Sequence, residues 1–195
     1  MRQAFEEESP KMTETDGEAL TLELGRRLKR VYGLPREPTS IEDYYALVEE
    51  GSQANPQMEA YLQKMRKGQV VMGETAADRG YAVTIPERGK VNVMCGYDAV
   101  LTAVVRGEGR AEGACPHCGE AMDVRVEGGN LAHASPDSIV FWLGTGPPGG
   151  PGHPVCDHLH LFPSREHLLA WVEGQPDELG FEVPLATLVE RLNTN

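Results

Sequence analysis

Four cysteines carry most of the reactive chemistry in this 195-residue sequence: Cys95, Cys115, Cys118 and Cys156. A thiolate is a strong nucleophile and the preferred ligand of soft metal ions. A few cysteines in a chain of this length, with no extracellular signal, favour thiol chemistry or metal binding over structural disulfides. The residues around each cysteine must therefore indicate which kind of site is formed.

Cys95 and Asp98 are the first pair of interest, in the stretch VNVMCGYDAVLTAVVRG. Alternating valines precede Cys95, and helical spacing of apolar residues follows Asp98, so Cys95 is expected where a strand turns into a helix. The positive end of the helix dipole there would favour a thiolate, and Asp98 would lie in the first turn. The alternative interpretation is a small buried cysteine and a helix-capping carboxylate.

A second chemical stretch, PVCDHLHLF, holds Cys156, His158 and His160. If this stretch is a strand, the two histidines share one face of it. That placement suits metal ligation, and it equally suits two histidines bonded into a polar core face. Whether Cys156 meets Cys95 and Asp98 in space decides the function.

Cys115 and Cys118 form a CPHC motif followed by glycine. Two thiolates at this spacing can bind one soft metal ion and make half of a zinc site. A thioredoxin-type redox motif is less suitable, because a strand-like segment rather than a helix follows. The candidates for the other half of a zinc site are Cys156, His158 and His160, or Cys95. Surface positions are expected for the remaining histidines: His117, His133, His153 and His167.

The overall charge excludes several classes of partner. The formal net charge is −12, which repels nucleic acid and anionic membranes. A DNA-binding metal sensor is therefore the weakest alternative. The sequence has no apolar run of about 18 residues and no apolar signal core near its start, so we expect a cytoplasmic protein without a membrane partner.

The pattern of elements predicts an α+β fold. Residues 1–16 are expected to be a disordered acidic tail, and residues 17–68 a helical, winged-helix-like subdomain. Its three helices are expected to end at Gly33, Gly51 and Gly68. A mixed or antiparallel sheet flanked by helices is expected over residues 69–195.

The strand pattern begins after residue 68. Residues 69–73 predict a strand, and a hairpin is expected around Gly89. The most apolar run, SIVFWL at residues 138–143, predicts a central strand. Residues 144–154 are turn formers and are expected to form a mobile loop that gates the site. Further helices are expected after Ser164 and from Pro184.

The order of these motifs resembles that of the alkylmercury lyase family. The resemblance rests on CGYD at Cys95 and Asp98, a strand cysteine at Cys115, SPDSI at residues 135–139, Cys156 followed by xHxHLF, and a downstream tryptophan. It spans about Gly80 to Leu192, and it implies a winged-helix-like N-terminal domain.

The resemblance also implies a mechanism and its residues. Cys95 and Cys156 would bind an organomercurial through two thiolates, and Asp98 would deliver a proton to the carbon. No organic cofactor is required. Hg(II) would remain bound as product until cellular thiols or a mercuric reductase remove it.

Three positions depart from the family pattern. Met94 replaces a tryptophan that commonly precedes the first cysteine, Cys118 adds a second thiol beside Cys115, and Asp157 replaces a second cysteine that often follows Cys156. These departures leave an alternative open, a non-catalytic protein of the same fold that binds zinc, copper or mercury. Such a protein would hold the metal through Cys115, Cys118, Cys156 and the histidines. In a lyase, the CPHC pair could instead add a separate metal site, with zinc as the candidate, or a dithiol that competes for mercury.

Overall fold

The computed structural model describes residues 20–53, 55–146 and 155–193. The predicted tail at residues 1–16 and most of the predicted loop at residues 144–154 lie outside this part of the chain. Six α-helices and eight β-strands are described. Helices come first and two antiparallel sheets follow, which confirms the predicted α+β fold.

The helices are α1 Leu22–Tyr32, α2 Ile41–Gln53, α3 Pro56–Arg66, α4 Gly96–Arg106, α5 Arg165–Glu173 and α6 Leu185–Asn193. The strands are β1 Tyr81–Ile85, β2 Gly89–Asn92, β3 Glu108–Ala114, β4 Ala121–Glu127, β5 Asn130–Ser135, β6 Val140–Gly144, β7 Leu159–Phe162 and β8 Gly180–Pro184. A short 3₁₀ helix, Val155–His158, precedes β7.

Local sequence signals set the ends of the three N-terminal helices. Thr21 caps α1 with its side chain, Gly33 ends that helix in a left-handed conformation, and Asn55 caps α3. The prediction that Gly51 ends α2 is wrong, since the helix continues to Gln53. A helical glycine costs only about 1 kcal/mol relative to alanine, which neighbouring contacts can offset.

The larger sheet has the strand order β2-β1-β3-β4-β5, and α4 packs against β1 and β3. The hairpin predicted around Gly89 is confirmed by the pairing of β1 with β2. The strand predicted at residues 69–73 is not formed. Gly68 and Gly73 both have positive φ there, and the backbone N–H of Met72 donates to the Thr102 hydroxyl on α4 instead of to a strand.

The smaller sheet has the order β7-β6-β8. Its centre is β6, which confirms the central strand predicted from the apolar run, and Phe141 and Trp142 there are almost fully buried. Pro184 was predicted to start the last helix, but it ends β8, which pairs with β6 from Gly180 to Pro184 and was not predicted, and the helix begins at Leu185. Only Phe181 and Val183 mark β8 as apolar, which is too short an alternation to stand out.

Arg27 joins the N-terminal helices to the smaller sheet. Its side chain is 6% exposed, and one guanidinium nitrogen donates to the carbonyl oxygens of Gly146, at 2.9 Å, and Asp177, at 2.7 Å. Nearby, the Tyr32 hydroxyl donates to the Gly144 carbonyl at 2.9 Å. Side chains of α1 thus satisfy carbonyl groups beyond the end of β6 and before β8.

We predict that Arg27→Ala lowers the free energy of unfolding by about 2–4 kcal/mol, because two carbonyl acceptors lose a charged donor. Arg26→Ala is the matched control, since Arg26 is exposed on the same helix, and its change should stay within about 0.5 kcal/mol. Urea unfolding measures both. Equal effects of the two substitutions would contradict this role of Arg27.

Candidate active site

Helix α4 presents Cys95 and Asp98 from its first turn. Cys95 is the residue before the helix and is fully buried, whereas Asp98 is 6% exposed. The start of α4 packs closely on β7: a Cβ placed on Gly96 would lie 2.9 Å from Leu161 Cγ and 3.2 Å from Tyr81 Cε1. Glycine at this position therefore allows the reactive end of α4 to reach the second sheet.

Cys156 reaches the same place from the 3₁₀ helix before β7, where it is half-buried. The two sulfur atoms and a carboxylate oxygen of Cys95, Asp98 and Cys156 all lie within 4.8 Å of one another. The Cys156 sulfur lies 3.6 Å from Asp98 Oδ2. The structure thus brings together the three residues that the sequence singled out, from segments 58 residues apart.

The three groups differ in how readily they ionise. The hydrogen bond from the Cys95 thiol to Cys156, together with burial, raises the pKa of Cys95 well above its ordinary value. The same hydrogen bond lowers the pKa of Cys156. Loss of hydration raises the pKa of the Asp98 carboxyl. The thiolate preference expected at Cys95 from the helix dipole therefore falls on Cys156, because burial and neighbouring groups outweigh the dipole.

The backbone of Gly73 lies directly against the Asp98 carboxyl. This glycine has φ +59°, and a Cβ built on it would lie 2.0 Å from Asp98 Oδ2. No side chain fits between that backbone and the carboxylate. The turn that replaces the predicted strand at residues 69–73 is thus part of the wall around Asp98.

A cavity of about 740 Å³ opens onto Asp98 and Cys156, while Cys95 is buried behind them. Its wall is largely apolar and aromatic, with contributions from α2, α3, α4 and the start of β7. Burial raises the pKa of Tyr97 in that wall to about 12, so its phenol stays neutral. The apolar lining includes Leu47, Val48, Met58, Met72, Leu159 and Leu188.

His158 and His160 do not join the thiols. His158 belongs to the 3₁₀ helix and His160 to β7, so the shared strand face expected for them is not formed. The His158 Nδ1 atom lies 3.0 Å from Glu178 Oε2. The His160 ring packs against Trp171, with ring centroids 5.2 Å apart.

A second cluster forms around the CPHC motif. Potential ligand atoms of Cys115, Cys118 and His167 lie within 4.8 Å of one another, so the histidine that joins the two thiols is His167 rather than His158 or His160. Sequence reasoning missed His167, because it lies 49 residues from Cys118 on α5 and no local pattern marks it. In the described part of the chain, this cluster and the cluster of Cys95, Asp98 and Cys156 are the two groups of three or more potential metal ligands.

Among the residues that the structure describes, no helix is both long and apolar enough to cross a membrane.

The raised pKa of Asp98 predicts a pH-dependent gain in stability for Asp98→Asn. A carboxyl whose pKa rises on folding favours folding at low pH, and this contribution is lost as pH increases through the folded-state value. The midpoint temperature of the variant should therefore increase relative to wild type as pH goes from about 4 to about 8.

Thermal unfolding at a series of pH values measures this difference. Asp137→Asn is the control, since Asp137 is exposed, and its difference from wild type should not change in the same way. A difference for Asp98→Asn that stays constant with pH, or that reverses in sign, would contradict the assignment.

Comparison with known proteins relates the chain to a family. No curated protein sequence matches the chain. A solved structure, the mercury-bound form of MerB2, shares the fold: TM-score 0.52, 20% identity, 89% of this chain and 97% of that chain covered. The sequence model of the alkylmercury lyase family matches residues 75–194, a span that includes α4, both sheets and all four cysteines. The chain belongs to the alkylmercury lyase family.

Proposed function

We propose that this protein cleaves the carbon–mercury bond of organomercurials by protonolysis, giving a hydrocarbon and Hg(II). Cys95, Asp98 and Cys156 are the catalytic residues. The observation that carries the proposal is the meeting of two thiols and one buried carboxyl within 4.8 Å at the end of an apolar cavity. Family membership supports the same reaction class.

Cys156 is the first ligand of the substrate. Its sulfur is reached from the cavity, and its lowered pKa favours the thiolate. Mercury(II) is a soft cation that prefers thiolate to oxygen or nitrogen donors. An organomercury cation, R–Hg⁺, entering the cavity therefore forms an R–Hg–S bond with Cys156, with its organic group against the apolar wall.

Cys95 is the second ligand and must lose its proton as it binds. Asp98 is the nearby base, since its carboxylate oxygen lies within 4.8 Å of both sulfur atoms. As the Cys95 sulfur bonds to mercury, its proton passes to Asp98. Two thiolates on one mercury atom then increase the electron density on the bound carbon.

Asp98 returns the same proton in the last step. Burial raises the pKa of its carboxyl, which suits a general acid at neutral pH. The proton goes to carbon, the carbon–mercury bond breaks, and R–H leaves. The balance is R–Hg⁺ plus one thiolate and one thiol, giving R–H and Hg(II) held by two thiolates, with no redox change and no organic cofactor.

Release of the product requires another thiol. A dithiolate holds Hg(II) strongly, so we infer that cellular thiols exchange with Cys95 and Cys156, and that a mercuric reductase can receive the ion. All four cysteines are free in the described structure. This chemistry suits a reducing compartment, and we place the protein in the cytoplasm.

A metal-binding protein without catalysis is the second candidate, and the cluster of Cys115, Cys118 and His167 favours it. The buried carboxyl distinguishes the two. A simple mercury-binding site has no need for a carboxyl that transfers a proton beside the thiols, whereas protonolysis depends on one.

We predict multiple turnovers of hydrocarbon release from phenylmercury in excess thiol. Cys95→Ser and Asp98→Asn should each lower the rate at least about 100-fold, because one removes a mercury ligand and the other the proton donor. Gas chromatography of benzene measures the rate.

Asp137→Asn is the control for loss of a carboxyl outside the site, since Asp137 is exposed, and it should keep at least about half of the rate. Mercury binding by the wild-type protein without benzene release would refute the lyase and favour the metal-binding candidate.

Gly73 gives a second test of Asp98. Gly73→Ala should lower hydrocarbon release at least about tenfold, because its new methyl group would displace the Asp98 carboxyl. Gly80→Ala is the matched control, since Gly80 also has positive φ, at +80°, but a Cβ there has no neighbour within 4 Å. Similar rates for the two variants would show that backbone strain, rather than contact with Asp98, causes the loss.

A further inference from the structure

The turn after β3 has the backbone of a metal-binding knuckle. The N–H of Gly119 donates to the Cys115 carbonyl at 2.8 Å, and the N–H of Cys115 donates to the Glu120 carbonyl at 2.8 Å. The backbone N–H groups of His117 and Cys118 point to the Cys115 sulfur. Amide donors of this kind stabilise a metal-bound thiolate.

His167 adds a nitrogen ligand from another element. Its Nδ1 atom lies 3.5 Å from the Cys118 sulfur and 3.7 Å from Glu120 Oε2. In a tetrahedral zinc site, bonds of about 2.3 Å to sulfur and about 2.0 Å to nitrogen place those two atoms about 3.5 Å apart. The spacing of the Cys118 sulfur and the His167 nitrogen is thus already that of two ligands of one zinc ion.

We propose that Cys115, Cys118 and His167 bind a zinc ion, with water in the fourth position. Two thiolates and one imidazole are donors that suit zinc. None of these residues belongs to the cluster of Cys95, Asp98 and Cys156. The zinc ion and the organomercurial therefore occupy separate sites.

The zinc ion would join the two sheets. Cys115 and Cys118 lie in the turn between β3 and β4 of the larger sheet, and His167 lies on α5, directly after β7 of the smaller one. Cys156 precedes β7 on the same continuous segment. A metal bond between this turn and α5 thus restrains the segment that carries one mercury ligand against the sheet that positions the other.

The metal content of the purified protein tests the proposal. Protein reconstituted with zinc under reducing conditions and dialysed should retain one zinc per chain by mass spectrometry. Cys118→Ser and His167→Ala should each lose it. His117→Ala is the matched control and should keep it, since His117 is an exposed residue of the same turn that lies outside the ligand set.

The double variant Cys95→Ser, Cys156→Ser separates this site from the mercury site and should also keep one zinc. Cobalt(II) in place of zinc should give a thiolate charge-transfer band that is lost in Cys118→Ser. Zinc should raise the midpoint of thermal unfolding by about 5–10 °C when present at ~100 times its Kd.

Three results would overturn the proposal: no retained zinc in wild type, retention in His167→Ala, or loss in the Cys95→Ser, Cys156→Ser variant. The first would leave the Cys118–His167 contact as a thiol–imidazole hydrogen bond without a metal. Hydrocarbon release by the same samples is a separate readout. Absence of zinc binding would therefore not refute the lyase, and absence of hydrocarbon release would not refute the zinc site.

Discussion

Burial of the Asp98 carboxyl beside two thiols is the constraint on which the site depends. In water a carboxylate and a thiol ionise independently. At 6% exposure for Asp98, and with Cys95 fully enclosed, three negative charges cannot be accommodated, so protons stay on some of the groups. Of the two thiols, Cys156 ionises more readily, because the hydrogen bond from Cys95 lowers the pKa of Cys156 and raises that of Cys95. Burial also raises the pKa of the Asp98 carboxyl. The site thus holds a thiolate that can bind mercury and a carboxyl whose raised pKa suits proton transfer.

The fold produces that constraint by placing the start of α4 beside the residues that precede β7. Helix α4 lies on the larger sheet and starts at Cys95, while Cys156 lies directly before β7 of the smaller sheet. The N-terminal helices cover the cavity, and Arg27 holds α1 to the carbonyl groups around the smaller sheet. The residues that enclose the site thus come from all parts of the described chain.

The sequence predicts what is local and misses what depends on distant packing. Spacing alone places Cys95 and Asp98 at the start of a helix, but the contact with Cys156 was available only through the family resemblance. His167 was missed because its relation to the CPHC motif exists only after α5 packs beside the turn from β3 to β4. Gly73 was assigned to a strand, since nothing in its neighbourhood shows that a carboxyl will occupy the space beside it.

The central claim is that Cys95 and Cys156 together hold the mercury from which the hydrocarbon has left. The most direct measurement is X-ray absorption at the mercury edge, after turnover, on protein in which Cys115 and Cys118 are replaced by serine. Only Cys95 and Cys156 then remain as thiols. The account predicts two sulfur neighbours for each mercury atom. One sulfur with oxygen or nitrogen neighbours would show that the two thiols do not act on the same ion, and would contradict the proposed mechanism.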